Sequence, residues 1–198
     1  MPRIINDILH APHFIFIRNP SDELTDRSLL ERFTIGDYEL VSSLPKFRNH
    51  VVVRREPNWL HLADDWSYSL WHAPSTRDSL LELSCDHDIY QYSVGECDHS
   101  FDFRYFSGGA ITREYVVEDP TYHNGIVVKD DGTELPGERD SLELPDEQQR
   151  VLGIARALGI DVSYTMDQLV FYANPNSASL IEIGEPSNAP KRAWWRFW

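Results

Sequence analysis

Short apolar and aromatic runs, separated by turn residues, fill the chain between residues 36 and 135. Their spacing is not helical, which favours strands. In Phe101–Tyr105 the aromatic and charged residues alternate, as expected of a strand with one buried face. Gly108-Gly109, Asn124-Gly125 and Asp131-Gly132 supply residues that accept the positive φ of tight hairpins. These features predict an antiparallel meander.

Twelve segments in all have the composition of strands. They are HFIFIRN (13–19), DYELVSSL (37–44), HVVVRRE (50–56), NWLHLADDWSYSLWHA (58–73), SLLELS (79–84), DIYQYSV (88–94), SFDFRYF (100–106), AITREYVVE (110–118), GIVVKD (125–130), TELP (133–136), DQLVFYA (167–173) and SLIEIG (179–184).

Two helices are predicted from capping and periodicity. The first covers residues 21–33, with Ser21 as its N-cap. The second has Pro145 in its first turn and Gly159 as its C-cap glycine. Its apolar residues repeat at helical spacing: Val151, Ile154, Ala155 and Leu158.

This order of elements predicts an α+β fold. We expect a single domain over residues 1–186, in which a multi-stranded antiparallel sheet carries the two main helices on one face. Residues 187–198 form an aromatic and basic tail beyond it. Two cysteines in 198 residues are not a disulfide framework, and no apolar run reaches the roughly 18 residues that span a bilayer. A cytoplasmic protein without a signal peptide is therefore expected.

The negative charge is confined to the middle of the chain. Of the net charge of −14, residues 1–77 contribute −1, residues 78–149 contribute −14 and residues 150–198 contribute +1. Such a charge disfavours nucleic-acid binding, which relies on Lys and Arg. It would instead attract a basic protein partner or cations. The alternative is that the acidic surface only keeps the protein soluble.

The sequence thus favours a non-catalytic protein-interaction module that binds a basic partner through an acidic, aromatic-rich sheet. The acidic residues assigned to this surface are Asp86, Asp88, Glu96, Asp98, Asp102, Glu118, Asp119, Asp130 and Asp131.

The triplet Cys-Asp-His occurs twice, at Cys85–His87 and at Cys97–His99, and raises the alternative of a metal site. Zinc requires four ligands within about 2.0 to 2.3 Å of one point. Cys85, His87, Cys97 and His99 could supply them only if the chain reversed between the triplets. No Gly, Pro or Asn marks such a reversal near Gln91–Ser93, Gly95 is too close to the second triplet to centre a hairpin, and DIYQYSV is predicted to be one strand. Structural thiols are the preferred interpretation, and no metal or cofactor is assigned.

The second alternative is an enzyme, metal-dependent or based on Cys and His, or a small-molecule binder that uses the two triplets. The chain lacks the Gly-x-Ser-x-Gly elbow, the Walker phosphate loop, the Gly-x-Gly-x-x-Gly fingerprint and the His-Glu-x-x-His motif. A Cys–His nucleophile pair stays open, because such partners meet in space rather than in sequence. Asp64 and Asp65 could hold a cation, but such a pair more often marks a change of strand direction. The balance is against catalysis.

The tail ends with four aromatic residues in its last five positions: Trp194, Trp195, Phe197 and Trp198. So much apolar surface must dock somewhere. The preferred destination is the protein's own core or a surface groove, the next is a partner subunit in a homo-oligomer, and a membrane interface is the least favoured.

Three segments carry a resemblance to a known class. VGECDHSFDFRYFSGGAITREYVVED, DDGTELPGE and the terminal Trp-Trp-Arg-Phe-Trp resemble small soluble bacterial proteins of the polymorphic-toxin immunity type. The resemblance covers about half of the chain and rests on sheet and turn pattern. It implies a stoichiometric inhibitor of a secreted toxin, held in the cytoplasm of the producing cell, and it assigns no individual residue.

Overall fold

The structure is a computed structural model that describes residues 3–4, 9, 12–43, 49–65, 69–70, 76–95, 98–121 and 125–176. Nine strands of this part of the chain form one sheet in which every neighbouring pair is antiparallel. Several helices pack on it, so the α+β fold class is confirmed. The predicted strand SLIEIG (179–184) and the aromatic tail lie outside the described residues.

The strands of the large sheet follow the order β3-β11-β4-β5-β2-β6-β7-β8-β9. Their bounds are β2 Pro12–Arg18, β3 Glu39–Val41, β4 His50–Arg55, β5 Trp59–Asp65, β6 Ile89–Val94, β7 Phe101–Ser107, β8 Ala110–Glu118, β9 Ile126–Gly132 and β11 Val170–Ala173. A separate two-stranded sheet pairs β1 Arg3–Ile4 with β10 Ser163–Tyr164. The predicted meander is the run from β6 to β9, whereas β2 is inserted between β5 and β6.

Helices cover both faces of the sheet, not one as the sequence suggested. The reason lies in β2, whose residues from Pro12 to Ile17 are all buried. Phe14 and Phe16 point to one face, while Ile15 and Ile17 point to the other, so each face needs its own apolar cover. We call them the α4 face and the α1 face, after the helices α4, Glu147–Ala157, and α1, Asp26–Phe33, that pack on them.

The α1 face is covered by α1, Asp26–Phe33, and α2, Thr76–Leu83. Thr25, not Ser21, is the N-cap of α1, because its side chain accepts a hydrogen bond from the Ser28 backbone N–H at 3.2 Å.

The prediction of a strand at SLLELS (79–84) was wrong. These residues form the end of α2, whose buried residues lie at the helical spacing i, i+3, i+4 and i+7. Two of the four, Thr76 and Ser79, are polar, which hid the spacing in the sequence.

The α4 face is covered by α3, Glu138–Leu142, and α4, Glu147–Ala157. The predicted second helix is α4, and Asp146 caps it by accepting a hydrogen bond from the Gln149 N–H at 2.9 Å. The C-terminal glycine, Gly159, has a φ of 82°. Val151, Leu152, Ile154 and Ala155 bury the inner side of α4 against the aromatic residues of β2, β6 and β7.

The turns of the meander were predicted in part. Gly108 and Gly109 have φ of 60° and 79° and join β7 to β8 as a two-residue hairpin. Asp131-Gly132 is not a hairpin turn, because it lies at the end of β9 and TELP (133–136) is not a strand. A Cβ atom on Gly132 would lie 2.1 Å from the Thr112 carbonyl oxygen, so this close approach, and not a reversal, requires the glycine.

None of the helices in the described ranges is long and apolar enough to cross a membrane.

Candidate functional site

The acidic residues assigned from the sequence do not form one patch. Asp86 and Asp88 lie where α2 leads into β6, and Asp98 lies at the opposite end of that strand, before β7. Glu118 ends β8, and Asp119 follows it as a buried acceptor for the His99 N–H. Asp102 lies on the α1 face, whereas β9 carries Asp130 and Asp131 on opposite faces. Glu96 lies outside the described residues.

A polar network occupies the α1 face beyond the helices. The register of the strands places four polar residues side by side, one each from β6, β7, β8 and β9: Gln91, Arg104, Glu114 and Asp131. Arg104 donates from Nη1 to Asp102 Oδ1 at 2.6 Å and from Nε to Glu114 Oε1 at 2.7 Å. The side chain of Arg104 is about nine-tenths buried, so both carboxylates are held against a largely desolvated guanidinium.

The network continues outward to the sheet edge through Lys129. Its Nζ lies 2.5 Å from Glu114 Oε2 and 3.8 Å from Asp131 Oδ2. Burial opposes the ionisation of Glu114, but Lys129 and Arg104 outweigh it and hold the pKa of this carboxyl below its usual value. Two cations, Arg104 and Lys129, thus face three carboxylates, Asp102, Glu114 and Asp131, so the network carries a negative surplus.

The α4 face has a second network with the same surplus. Arg113 and Glu138 are both buried, and Arg113 Nη2 lies 2.5 Å from Glu138 Oε1. The same guanidinium reaches Asp130 through Nη1 at 2.6 Å. One cation therefore serves two carboxylates, and the exposed one is Asp130.

Each network has its most exposed carboxylate on β9, Asp131 on the α1 face and Asp130 on the α4 face. Asp130 and Asp131 are 61% and 72% exposed there. The preceding residues Ile126, Val127 and Val128 are 54%, 49% and 49% exposed. This margin combines uncovered apolar side chains with surplus negative charge, and we call residues 126–132 the β9 edge.

A second polar feature links the sheet centre to the first network. Asp64, His13, Ser93 and Asp102 are aligned across β5, β2, β6 and β7. His13 Nδ1 lies 3.2 Å from Asp64 Oδ1, and Asp64 Oδ2 accepts the backbone N–H groups of Ser69 and Leu70 at 2.6 and 2.9 Å.

Ser93, His13 and Asp64 are the residue types of an acyl-transfer triad. The Ser93 hydroxyl, however, donates its hydrogen bond to Asp102 Oδ2 at 2.6 Å. His13 and Asp64 are almost fully buried. Asp64 therefore ties Ser69 and Leu70 to the end of β5.

The two Cys-Asp-His triplets are not brought together. Residues 89–94 form the single strand β6 without a reversal. At about 3.3 Å per residue, this strand separates His87 from His99 by about 20 Å. Cys85 is an exposed free thiol after α2, and His99 Nδ1 lies 2.9 Å from Glu147 Oε1. Cys97 lies outside the described residues, within which no group of three His, Cys, Asp or Glu side chains could hold a metal ion.

Sequence reasoning missed a buried polar cluster around His61 of β5 and Tyr164 of β10. His61 Nδ1 forms a 2.9 Å hydrogen bond with the Tyr164 hydroxyl, and the Arg54 guanidinium stacks 4.5 Å from the centre of the Tyr164 ring. Arg54 also pairs with Glu56 and with Asp161. Burial, followed by the charge of Arg54, lowers the pKa of His61 to about 3, so this imidazole is neutral at pH 7.

The sequence contains part of the information that places the residues of the polar networks. Alternation in Phe101–Tyr105 indicates that Asp102 and Arg104 share a face, but it does not show which residues of other strands they contact. Nothing local marks Glu138 as the partner of Arg113, 25 positions away.

Comparison with known proteins adds no assignment, because the chain matches no family model, no curated protein and no solved structure.

Proposed function

We propose that this protein is a non-catalytic interaction module, an immunity-type inhibitor that binds a basic protein partner in the cytoplasm of the producing cell. The observation that carries the proposal is the surplus of carboxylates in both networks that reach the β9 edge.

Charge arranged in this way favours rapid association with a partner of opposite sign. The exposed carboxylates Asp130 and Asp131 are flanked by Glu134, which is also exposed. Long-range attraction between an acidic margin and a basic surface raises the association rate and makes it sensitive to salt. A partner with clustered Lys or Arg residues would complete the ion pairing that Arg113 and Lys129 leave incomplete.

Apolar side chains beside these charges provide the second requirement of a specific interface. Protein interfaces combine a desolvated apolar centre with a polar rim. At the β9 edge, Ile126, Val127 and Val128 are adjacent to the two aspartates in one strand. The partner is therefore expected to present apolar residues within a basic surround.

The test starts with affinity capture from the producing host at low and moderate salt, with and without a chelator. The captured basic protein is then purified, and its association rate is measured for the parent and for the double variant Asp130→Asn, Asp131→Asn. We expect a several-fold slower association and a weaker salt dependence, because two steering charges are removed.

The matched control is Asp22→Asn, Glu23→Gln, which removes two exposed charges from the loop before α1. Its association rate should equal that of the parent. Equal rates for both double variants and the parent would reject the β9 edge as the acidic docking surface. Recovery of only acidic or chelator-dependent partners would reject the class of protein proposed.

A further inference from the structure

We propose that the β9 edge binds its partner by strand addition, accepting an extended basic and apolar segment as a further strand of the sheet. This inference rests on the proposed function and names the mode of binding and the chemistry of the bound segment.

In the described part of the chain, the main chain of β9 is hydrogen-bonded to another strand on one side only. Within the described residues β9 pairs with β8 alone, and it forms one margin of the nine-stranded sheet. Its seven residues span about 23 Å at about 3.3 Å per residue. A strand edge of this length offers outward N–H and C=O groups to another chain.

The apolar half of β9, Ile126–Val128, lacks the side chains of a protected edge. Proteins guard such margins with short strands, proline, or lysine side chains that point outward. The opposite margin follows this rule, since β3 has only the three residues Glu39–Val41. By contrast, β9 is long and has no proline, and its one lysine, Lys129, is engaged with Glu114. Its three apolar residues are about half exposed.

The charges at β9 select the occupant. A strand laid beside β9 would place side chains next to Asp131 on the α1 face and next to Asp130 on the α4 face. Lys or Arg at those positions would offset the surplus carboxylates, and apolar residues would cover Ile126–Val128.

A second copy of this chain is a poorer occupant. Each copy carries a net charge of −14, and antiparallel pairing along the whole of β9 would place Asp130 and Asp131 opposite Val128 and Val127, so neither carboxylate would gain a cation. The bound segment is therefore assigned to a basic partner.

The experiment uses the full-length protein and a capped peptide in which two adjacent lysines and three adjacent valines match Asp130–Asp131 and Ile126–Val128 in an added strand. A second peptide has the same side chains and charge, but all its backbone nitrogens are methylated, so it cannot donate to a strand edge. We expect the unmethylated peptide to bind at least about tenfold more tightly. It should also protect the amides of residues 126–132, but not those of residues 39–41, from hydrogen exchange.

Two variants locate the site independently. Val128→Pro removes a main-chain donor and Val128→Thr keeps it, so the first should weaken peptide binding at least about tenfold and the second by less than about threefold. Circular dichroism and the melting temperature check that each variant is folded. If Val128→Pro is unfolded, the comparison of the two peptides decides alone.

Equal affinity for the two peptides, or unchanged exchange at residues 126–132 in the saturated complex, would overturn strand addition. If both peptides then bind with the same salt dependence, the acidic docking surface survives and only the mode of binding fails. If neither peptide binds, strand addition fails, and the association rates of the natural partner decide the proposed function separately.

Discussion

Strands β2 and β9 have the same length but opposite environments. Each has seven residues and contains consecutive apolar side chains, Phe14–Ile17 in β2 and Ile126–Val128 in β9. Every residue of β2 before Arg18 is buried, whereas no residue of β9 is. The comparison shows that apolar content alone does not decide which strand becomes the core.

Position in the sheet makes the difference. β2 lies between β5 and β6 and has helices on both faces, so its side chains are covered in every direction. β9 forms one margin of the sheet, and none of its residues is buried. The buried strand is expected to determine stability, and the exposed strand is expected to determine binding.

The largest effect is expected from Phe16→Ala in β2. Phe16 is fully buried and packs on His61 and Tyr90, so its loss leaves a cavity and should lower the free energy of unfolding by about 3 to 5 kcal/mol. Urea denaturation measures the change. The matched variant Val127→Ala in β9 should cost less than about 1 kcal/mol. Equal costs would show that β9 is as well covered as β2.

The next largest effect is expected from Glu138→Gln, which removes the buried partner of Arg113. A guanidinium left at this depth with only the exposed Asp130 as its ion-pair partner should cost about 3 kcal/mol. The control Asp130→Asn alters the exposed partner of the same guanidinium and should cost less than about 1 kcal/mol. Denaturation of both variants under one condition tests the difference, and similar losses would mean that the two carboxylates are equally desolvated.

A pH-dependent effect is expected from the cluster around His61. Because burial lowers the pKa of His61 to about 3, its contribution to stability is complete above the unfolded value of about 6.5 and is lost as the pH falls toward 3. Between pH 7 and pH 5 the loss should be about 2 kcal/mol. The variant His61→Asn, which can still accept a hydrogen bond from Tyr164, should lack this loss. A parent and variant with parallel pH profiles would contradict the assignment.

The smallest effect on stability is expected from Asp130→Asn, Asp131→Asn in β9. Both side chains are mostly exposed, so the free energy of unfolding should change by less than about 1 kcal/mol. Thermal melting at low and moderate salt measures this change. A large destabilisation would mean that these charges support the fold, and it would remove the contrast between β2 and β9.

The sequence predicted the elements whose signals are local. The helix α4 was found from its apolar spacing and Gly159, and the β7–β8 hairpin was found from Gly108-Gly109. Helix α2 was missed because two of its buried positions are occupied by Thr76 and Ser79. Alternation in β7 predicted a polar face, but the register that joins Arg104 to Glu114 lies beyond local sequence.

By itself, the sequence determined the α+β class, most strand positions and the location of negative charge in the middle third, since periodicity, turn residues and charge are properties of neighbouring positions. The tertiary structure decided strand order, the cover on both faces and the arrangement by which each network ends in an exposed carboxylate of β9. These depend on contacts between residues distant in the chain. Burial is a property of the whole packed molecule, and so an apolar run becomes core in β2 and remains exposed in β9.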